Sequence, residues 1–125
     1  MFKKGGVNTI GSEKIFENKI KTYLQNNDCY FVKYFANRMT KVGVPDLLAC
    51  INGYFVGIEV KAESGTPSEL QKHNRELIKL AGGIGIILYP QDWDLFKEMV
   101  EQLFEENELG AWHTASLINK RTMRR

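Results

Sequence analysis

The pattern of hydrophobic and polar positions divides the chain into helices and strands. After Ser12, which is the expected N-cap, apolar residues recur with helical spacing and predict a first helix that ends near Asn26 and Asn27. Runs rich in β-branched and aromatic residues predict four strands, over residues 29–35, 46–51, Tyr54–Val60 and 84–89. The aromatic side chains of the first strand are expected to lie in the core: Tyr30, Phe31, Tyr34 and Phe35.

Turn and cap residues mark the boundaries between these elements. The Asn52-Gly53 pair separates two of the strands and predicts a tight antiparallel hairpin. Thr66 is the expected cap of a second helix with Pro67 in its first turn, and the glycine pair at 82–83 is expected to end that helix.

A third helix is expected to begin after Asp92, its predicted cap, and to run to about Glu106. The resulting order, α-β-β-β-α-β-α, predicts an α/β fold in which helices flank a mixed β-sheet. A chain of 125 residues is expected to form a single domain, 1–125. Its core is expected over about 11–106, followed by a basic C-terminal tail over about 107–125.

Charge and cysteine content add little to this picture. The net charge is only +2, and basic residues gather at the two ends, where they either grip phosphate or are simply solvated. Cys29 and Cys50 are expected to be buried free thiols in a reducing compartment, because no CxxC pair or zinc-ligand spacing is present. No signal peptide is expected, and the apolar run at 84–89 is too short to cross a bilayer, so no membrane association is expected.

Two acids and a lysine lie on either side of the predicted hairpin. Glu59 and Lys61 are two positions apart on one strand, so their side chains point to the same face. The hairpin folds Asp46 back toward that strand, opposite a residue between Tyr54 and Glu59 that depends on the register.

This combination predicts a site for a hard cation. Asp46 and Glu59 repel each other, and Mg²⁺ or Mn²⁺ would relieve that repulsion, with the carbonyl of Val60 as a further ligand. Such a cation polarises a phosphate oxygen and lowers the pKa of bound water. Lys61 would orient the water or neutralise charge in the transition state.

The segments GVPDLL (43–48) and GYFVGIEVK (53–61), followed by Gln71, resemble the PD-(D/E)XK nuclease superfamily. Within it, the chain resembles the stand-alone VRR-NUC type of phages and bacteria and is similar to archaeal Holliday junction resolvases. The resemblance covers roughly residues 11–90. It implies a restriction-endonuclease-like fold with a central mixed sheet.

The resemblance also implies roles for matching positions. Asp46 and Glu59 correspond to the metal-binding acids and Lys61 to the motif lysine. Glu17 corresponds to the helical acid that completes the metal site, with Glu13 as the alternative. Gln71 corresponds to a glutamine that holds Lys61 or the substrate phosphate.

The implied function is that of a Mg²⁺- or Mn²⁺-dependent, structure-selective DNA endonuclease. The expected substrate is a four-way (Holliday) junction, because no base-reading module is evident and a homodimer would present two active sites for paired cuts. The expected location is the cytoplasm of a bacterium or of a phage-infected cell. Weaker candidates for phosphate contacts are Lys33, Asn37, Arg38 and Lys41. The alternatives are a phage nickase or restriction-like endonuclease, and a non-catalytic DNA-binding protein on the same fold.

Overall fold

The computed structural model describes residues 11–35 and 42–123. The main elements, in chain order, are α1 (Ser12–Asn26), β1 (Tyr30–Lys33), β2 (Leu47–Ile51), β3 (Tyr54–Val60), α2 (Glu69–Leu80), β4 (Ile84–Leu88), α3 (Trp93–Phe104) and α4 (Glu108–Asn119). Short 3₁₀ turns cover Pro90–Asp92 and Lys120–Thr122. In the described ranges, no helix is both long enough and apolar enough to cross a membrane.

The four strands form one mixed sheet in the order β1-β2-β3-β4, as the α/β expectation required. The β1–β2 and β2–β3 pairs are antiparallel, and β3–β4 is parallel. Asn52 and Gly53 both have positive φ, 50° and 90°, which is the backbone that a tight two-residue hairpin requires. In the β2–β3 register Leu47 lies opposite Ile58, so the preceding residue, Asp46, reaches the end of the sheet where Glu59 lies.

The two faces of the sheet are covered differently. One face packs on α1, α3 and α4 in a continuous core, which includes Ile20, Ile58 and Phe96. On the other face, α2 comes close to the backbone at two neighbouring glycines of β3 and β4. A Cβ on Gly57 would lie 2.7 Å from Ile78 Cδ1, and one on Gly85 would lie 2.9 Å from the carbonyl oxygen of Arg75.

The C-terminal segment is not a tail, which corrects the expected boundary at about residue 106. Residues 108–119 form α4, and its buried residues Ala111, Ala115 and Ile118 belong to the core. The observed order is therefore α-β-β-β-α-β-α-α. The following turn is fixed as well, because Arg121 binds Asp92 through two hydrogen bonds of 2.8 Å.

Two predicted helix caps are wrong, and a third is correct in position but lacks the side-chain hydrogen bond of a cap. The first helix starts at Ser12 itself, with Gly11 at the N-cap position. The second is capped by Ser68, not Thr66, because Ser68 accepts a hydrogen bond from the backbone of Gln71 and the chain becomes helical only at Glu69. Asp92 is at the N-cap position of α3 but makes no side-chain cap, since its carboxylate is bound by Arg121.

Some aromatic side chains in and just after β1 are more exposed than their apolar character predicts. Tyr30 and Phe35 are 72% and 74% exposed, so the expectation that the aromatics near β1 all lie in the core is wrong. β1 is an edge strand of the sheet, whereas α2 packs mainly on β3 and β4. Both cysteines are free, as expected, but only Cys29 is buried. Cys50, on β2, is exposed and lies opposite Tyr30 of β1, so the expectation that both thiols are buried is wrong for Cys50.

Candidate functional site

Asp46 is anchored to the strand that carries Glu59. It precedes β2, and its Oδ2 accepts a 2.8 Å hydrogen bond from the backbone N–H of Val60. This bond crosses the end of the hairpin and fixes the Asp46 carboxylate next to Glu59. Val60 contributes its backbone N–H to this contact with Asp46, while its side chain is fully buried in the core.

Glu59 is a buried carboxylate with one unsatisfied oxygen. The residue is 5% exposed, and both Gln71 and Lys61 approach the same oxygen, Oε2. Within the described ranges, Oε1 has no hydrogen-bond partner. Burial, and then the neighbouring charge of Asp46, raise the pKa of Glu59 to about 8, although Lys61 opposes the shift. At neutral pH this carboxyl therefore tends to hold a proton or to take up a cation.

Lys61 shares the face of β3 that carries Glu59. Its Nζ lies 3.7 Å from Glu59 Oε2, and its side chain is 12% exposed. Its backbone N–H donates to the carbonyl of Leu88, which continues the parallel ladder past the end of β3. An ammonium is thus held at the edge of the acid pair, with part of its surface open to solvent.

Gln71 connects the start of α2 to the acid pair. Its Oε1 accepts from the backbone N–H of Ser68 at 2.9 Å, which completes a reciprocal capping box. Its Nε2 donates to Glu59 Oε2 at 2.8 Å. The contact differs from the expected one with Lys61 or phosphate: Gln71 orients the metal-binding candidate Glu59.

Glu17 lies in a cluster of lysines. It is 3% exposed, and Lys14, Lys21 and Lys33 approach its oxygens at 3.2, 3.3 and 2.8 Å. Burial alone would raise the pKa of Glu17, but these three lysines outweigh burial and lower it. Glu17 is therefore held as a negatively charged carboxylate whose charge is balanced by the surrounding lysines.

Lys33 joins this cluster to Asp46. Its Nζ is 2.8 Å from Glu17 Oε1 and 3.5 Å from Asp46 Oδ1. Burial works to lower the pKa of Lys33, but Glu17 and Asp46 outweigh it and raise the pKa. The other three phosphate candidates, Asn37, Arg38 and Lys41, lie outside the described residues.

Glu13 is also close enough to act on the acid pair. It is exposed, and its charge contributes to the raised pKa of Glu59. The structure thus gives the two helical acids different surroundings. Glu17 reaches Asp46 through Lys33, whereas Glu13 acts on Glu59 through its charge.

The residues present fit a hard cation in part. The neighbouring carboxylates of Asp46 and Glu59 and the partnerless Oε1 provide oxygen donors of the kind that Mg²⁺ and Mn²⁺ prefer. Across residues 11–35 and 42–123, no three His, Cys, Asp or Glu side chains are already arranged around a common metal position. Among these described residues, the side-chain ligands for such an ion would therefore be the two acids, supplemented by backbone or solvent oxygen.

Sequence reasoning missed the lysine cluster and the double role of Gln71. Ser68 and Gln71 have the spacing of a capping box, which was a usable signal for the start of α2. The Lys33–Glu17 contact joins residues 16 positions apart on different elements, and no local pattern in the sequence indicates it.

No family model matches this chain, and a comparison with curated proteins finds no match either.

Proposed function

We propose that this chain is a metal-dependent nuclease that hydrolyses phosphodiester bonds in DNA, with Asp46 and Glu59 as its metal-binding acids. The observation that carries the proposal is the buried Glu59 carboxylate, which lies beside Asp46 with its Oε1 unpartnered among the described residues and its pKa raised to about 8. Two acids held this close favour a divalent cation, because it relieves both their repulsion and the cost of burying charge.

The surrounding residues support this chemistry. Asp46, Glu59 and the carbonyl of Val60 would hold Mg²⁺ or Mn²⁺, which when bound polarises a phosphate oxygen and lowers the pKa of a water. Lys61 places an ammonium at the same carboxylate, where it can pair with the negative charge that develops on the phosphate. Lys61 and Gln71 both hold Oε2, which leaves Oε1 for a ligand.

The resemblance of residues 43–61 and Gln71 to PD-(D/E)XK nucleases supports the same assignment and extends it. The extended proposal is a restriction-endonuclease-like fold, a homodimer and a four-way DNA junction as substrate. A twofold axis between two active sites would suit paired cuts on the two symmetry-related strands of such a junction.

The test is cleavage of a labelled four-way junction and of a linear duplex with the same arms, with Mg²⁺ or Mn²⁺ and with EDTA. We expect metal-dependent cleavage that favours the junction. Asp46→Asn and Glu59→Gln should reduce the rate by at least about a hundredfold, while Lys61→Ala should reduce turnover more than metal affinity. Glu105→Gln, which removes an exposed acid at the end of α3, is the matched charge control and should cleave at the wild-type rate.

The outcomes separate the alternatives. Equal cleavage of junction and duplex, or a strict sequence requirement, would remove the junction substrate and favour a nickase or restriction-like endonuclease. DNA binding without metal-dependent cleavage would favour a non-catalytic DNA-binding protein. Near-normal cleavage by Asp46→Asn or Glu59→Gln would show that its assigned role is wrong.

A further inference from the structure

The ammonium of Lys33 occupies the space between two carboxylates that belong to different elements. It comes from β1, and it reaches Glu17 of α1 at 2.8 Å and Asp46 at 3.5 Å. Glu17 is almost fully buried, whereas the Asp46 side chain is 23% exposed. A single positive charge therefore lies between the buried carboxylate of Glu17 and the acid pair of Asp46 and Glu59, and it interacts with both.

The two other lysines around Glu17 provide an internal comparison. Lys14 and Lys21 both approach Glu17 Oε2, at 3.2 and 3.3 Å, while Lys33 binds Oε1. Among the ion pairs of the described chain, Lys33 alone joins Glu17 to Asp46. Substitution of Lys33 can therefore be distinguished from a simple loss of positive charge at Glu17, because Lys14 and Lys21 pair with Glu17 without joining it to Asp46.

We propose that Lys33 is a positioning residue whose ammonium acts as a built-in cation, holding Asp46 in place and limiting the affinity of the acid pair for a divalent metal ion. The proposal rests on the proposed function. A monovalent charge 3.5 Å from Asp46 Oδ1 already offsets part of the negative field that a metal ion would experience. Glu17 holds that charge in position and so acts on the metal site through Lys33.

The test is titration of the metal-free protein with MnCl₂ by isothermal calorimetry. The variants are Lys33→Gln, which keeps a hydrogen-bond donor, and Lys33→Met, which keeps the length of the stem. Lys21→Gln is the matched control, because it removes the same charge from Glu17 without touching Asp46. We expect the Lys33 variants to bind Mn²⁺ at least about tenfold more tightly than Lys21→Gln, since one full charge is removed next to the site. Lys33→Arg, which keeps the charge, should bind close to the wild-type affinity.

Two results would overturn the proposal: equal Mn²⁺ affinity in the Lys33 and Lys21 variants, or weaker binding when Lys33 is replaced. Urea unfolding of each variant identifies those that remain folded, and with two neutral replacements the comparison does not depend on one of them. Asp46→Asn separates this failure from failure of the proposed function. If the wild type binds Mn²⁺ no better than Asp46→Asn, the metal site itself is wrong. If Asp46→Asn alone loses binding while Lys33→Gln matches Lys21→Gln, only the role of Lys33 is wrong.

Discussion

The Glu59 carboxylate is buried and lies beside the acidic Asp46, and one of its oxygens has no hydrogen-bond partner in the part of the chain that the structure describes. Its pKa is raised from an ordinary value of 4.5 to about 8 in the folded protein. The folded state therefore binds more protons than the unfolded state between these two pH values. Because stability falls with pH wherever the folded state holds the extra proton, Glu59 stabilises the fold at acid pH and progressively loses that contribution up to about pH 8.

We predict that Glu59→Gln removes this pH dependence. Glutamine stays neutral at every pH. The unfolding free energy of the variant, relative to that of the wild type, should therefore rise by on the order of 2–5 kcal/mol between pH 5 and pH 9. The measurement is urea unfolding of both proteins in EDTA at the two pH values. Parallel pH profiles for the two proteins would contradict the assignment of a strongly raised pKa to this carboxyl.

At the scale of single residues, the sequence predicts much of the arrangement of the candidate site. The spacing of Glu59 and Lys61 placed both on one face, and the hairpin brought Asp46 to Val60, as the 2.8 Å hydrogen bond between them shows. Period-two alternation along a strand and a two-residue turn are local rules, so the sequence alone is enough to predict this part of the arrangement. The pairing of Lys33 with Glu17 depends on how α1 packs against β1, which no local rule specifies.

At the scale of elements, the start of α2 is coupled to the site by a single side chain. Gln71 uses Oε1 to complete the capping box with Ser68 and Nε2 to bind Glu59. A shift in the first turn of α2 would therefore move a hydrogen bond of the acid pair. The capping box explains why the helix begins at Glu69 even though Pro67 is the more conspicuous signal.

Ser68→Ala and Gln71→Ala should separate helix capping from the role at the site. Both remove part of the capping box, and each should lower stability by about 1 kcal/mol. Gln71→Ala also removes the donor to Glu59, so it alone should slow metal-dependent cleavage, by roughly tenfold or more. Urea unfolding and the junction cleavage assay provide the two measurements. Equal slowing by both variants would mean that Gln71 acts only as part of the cap.

At the scale of the whole molecule, α4 is the part that sequence reasoning failed to predict. Its buried positions include Ala111, Thr114 and Ala115, which are small or polar and give no strong apolar periodicity. The helix is held by packing on α3 and on β4 of the sheet, and by polar contacts along its length. Thr114, for example, donates to the Gln102 side chain of α3 at 2.7 Å. Such contacts depend on the assembled fold, so they cannot be recognised from spacing.

Asn119, the last residue of α4, covers the outer edge of β4. Its Nδ2 donates to the carbonyl of Gly85 at 2.8 Å, and its Oδ1 accepts from the backbone N–H of Ile87 at 3.1 Å. One side-chain amide thus supplies the donor and the acceptor that a neighbouring strand would otherwise provide. This contact ties the C-terminal helix to the sheet at the strand that pairs with β3, which carries Glu59.

We therefore predict that Asn119→Ala destabilises the protein by about 2–4 kcal/mol, because it leaves two buried backbone groups of β4 without partners. Ser116→Ala, at an exposed position one turn earlier on α4, is the control and should change stability by no more than about 0.5 kcal/mol. Urea unfolding measures the free energies, and hydrogen exchange at the Ile87 amide reports the local effect. If Asn119→Ala unfolds like the control and the Ile87 amide stays protected, the edge of β4 is satisfied by other groups and Asn119 does not anchor α4 to the sheet.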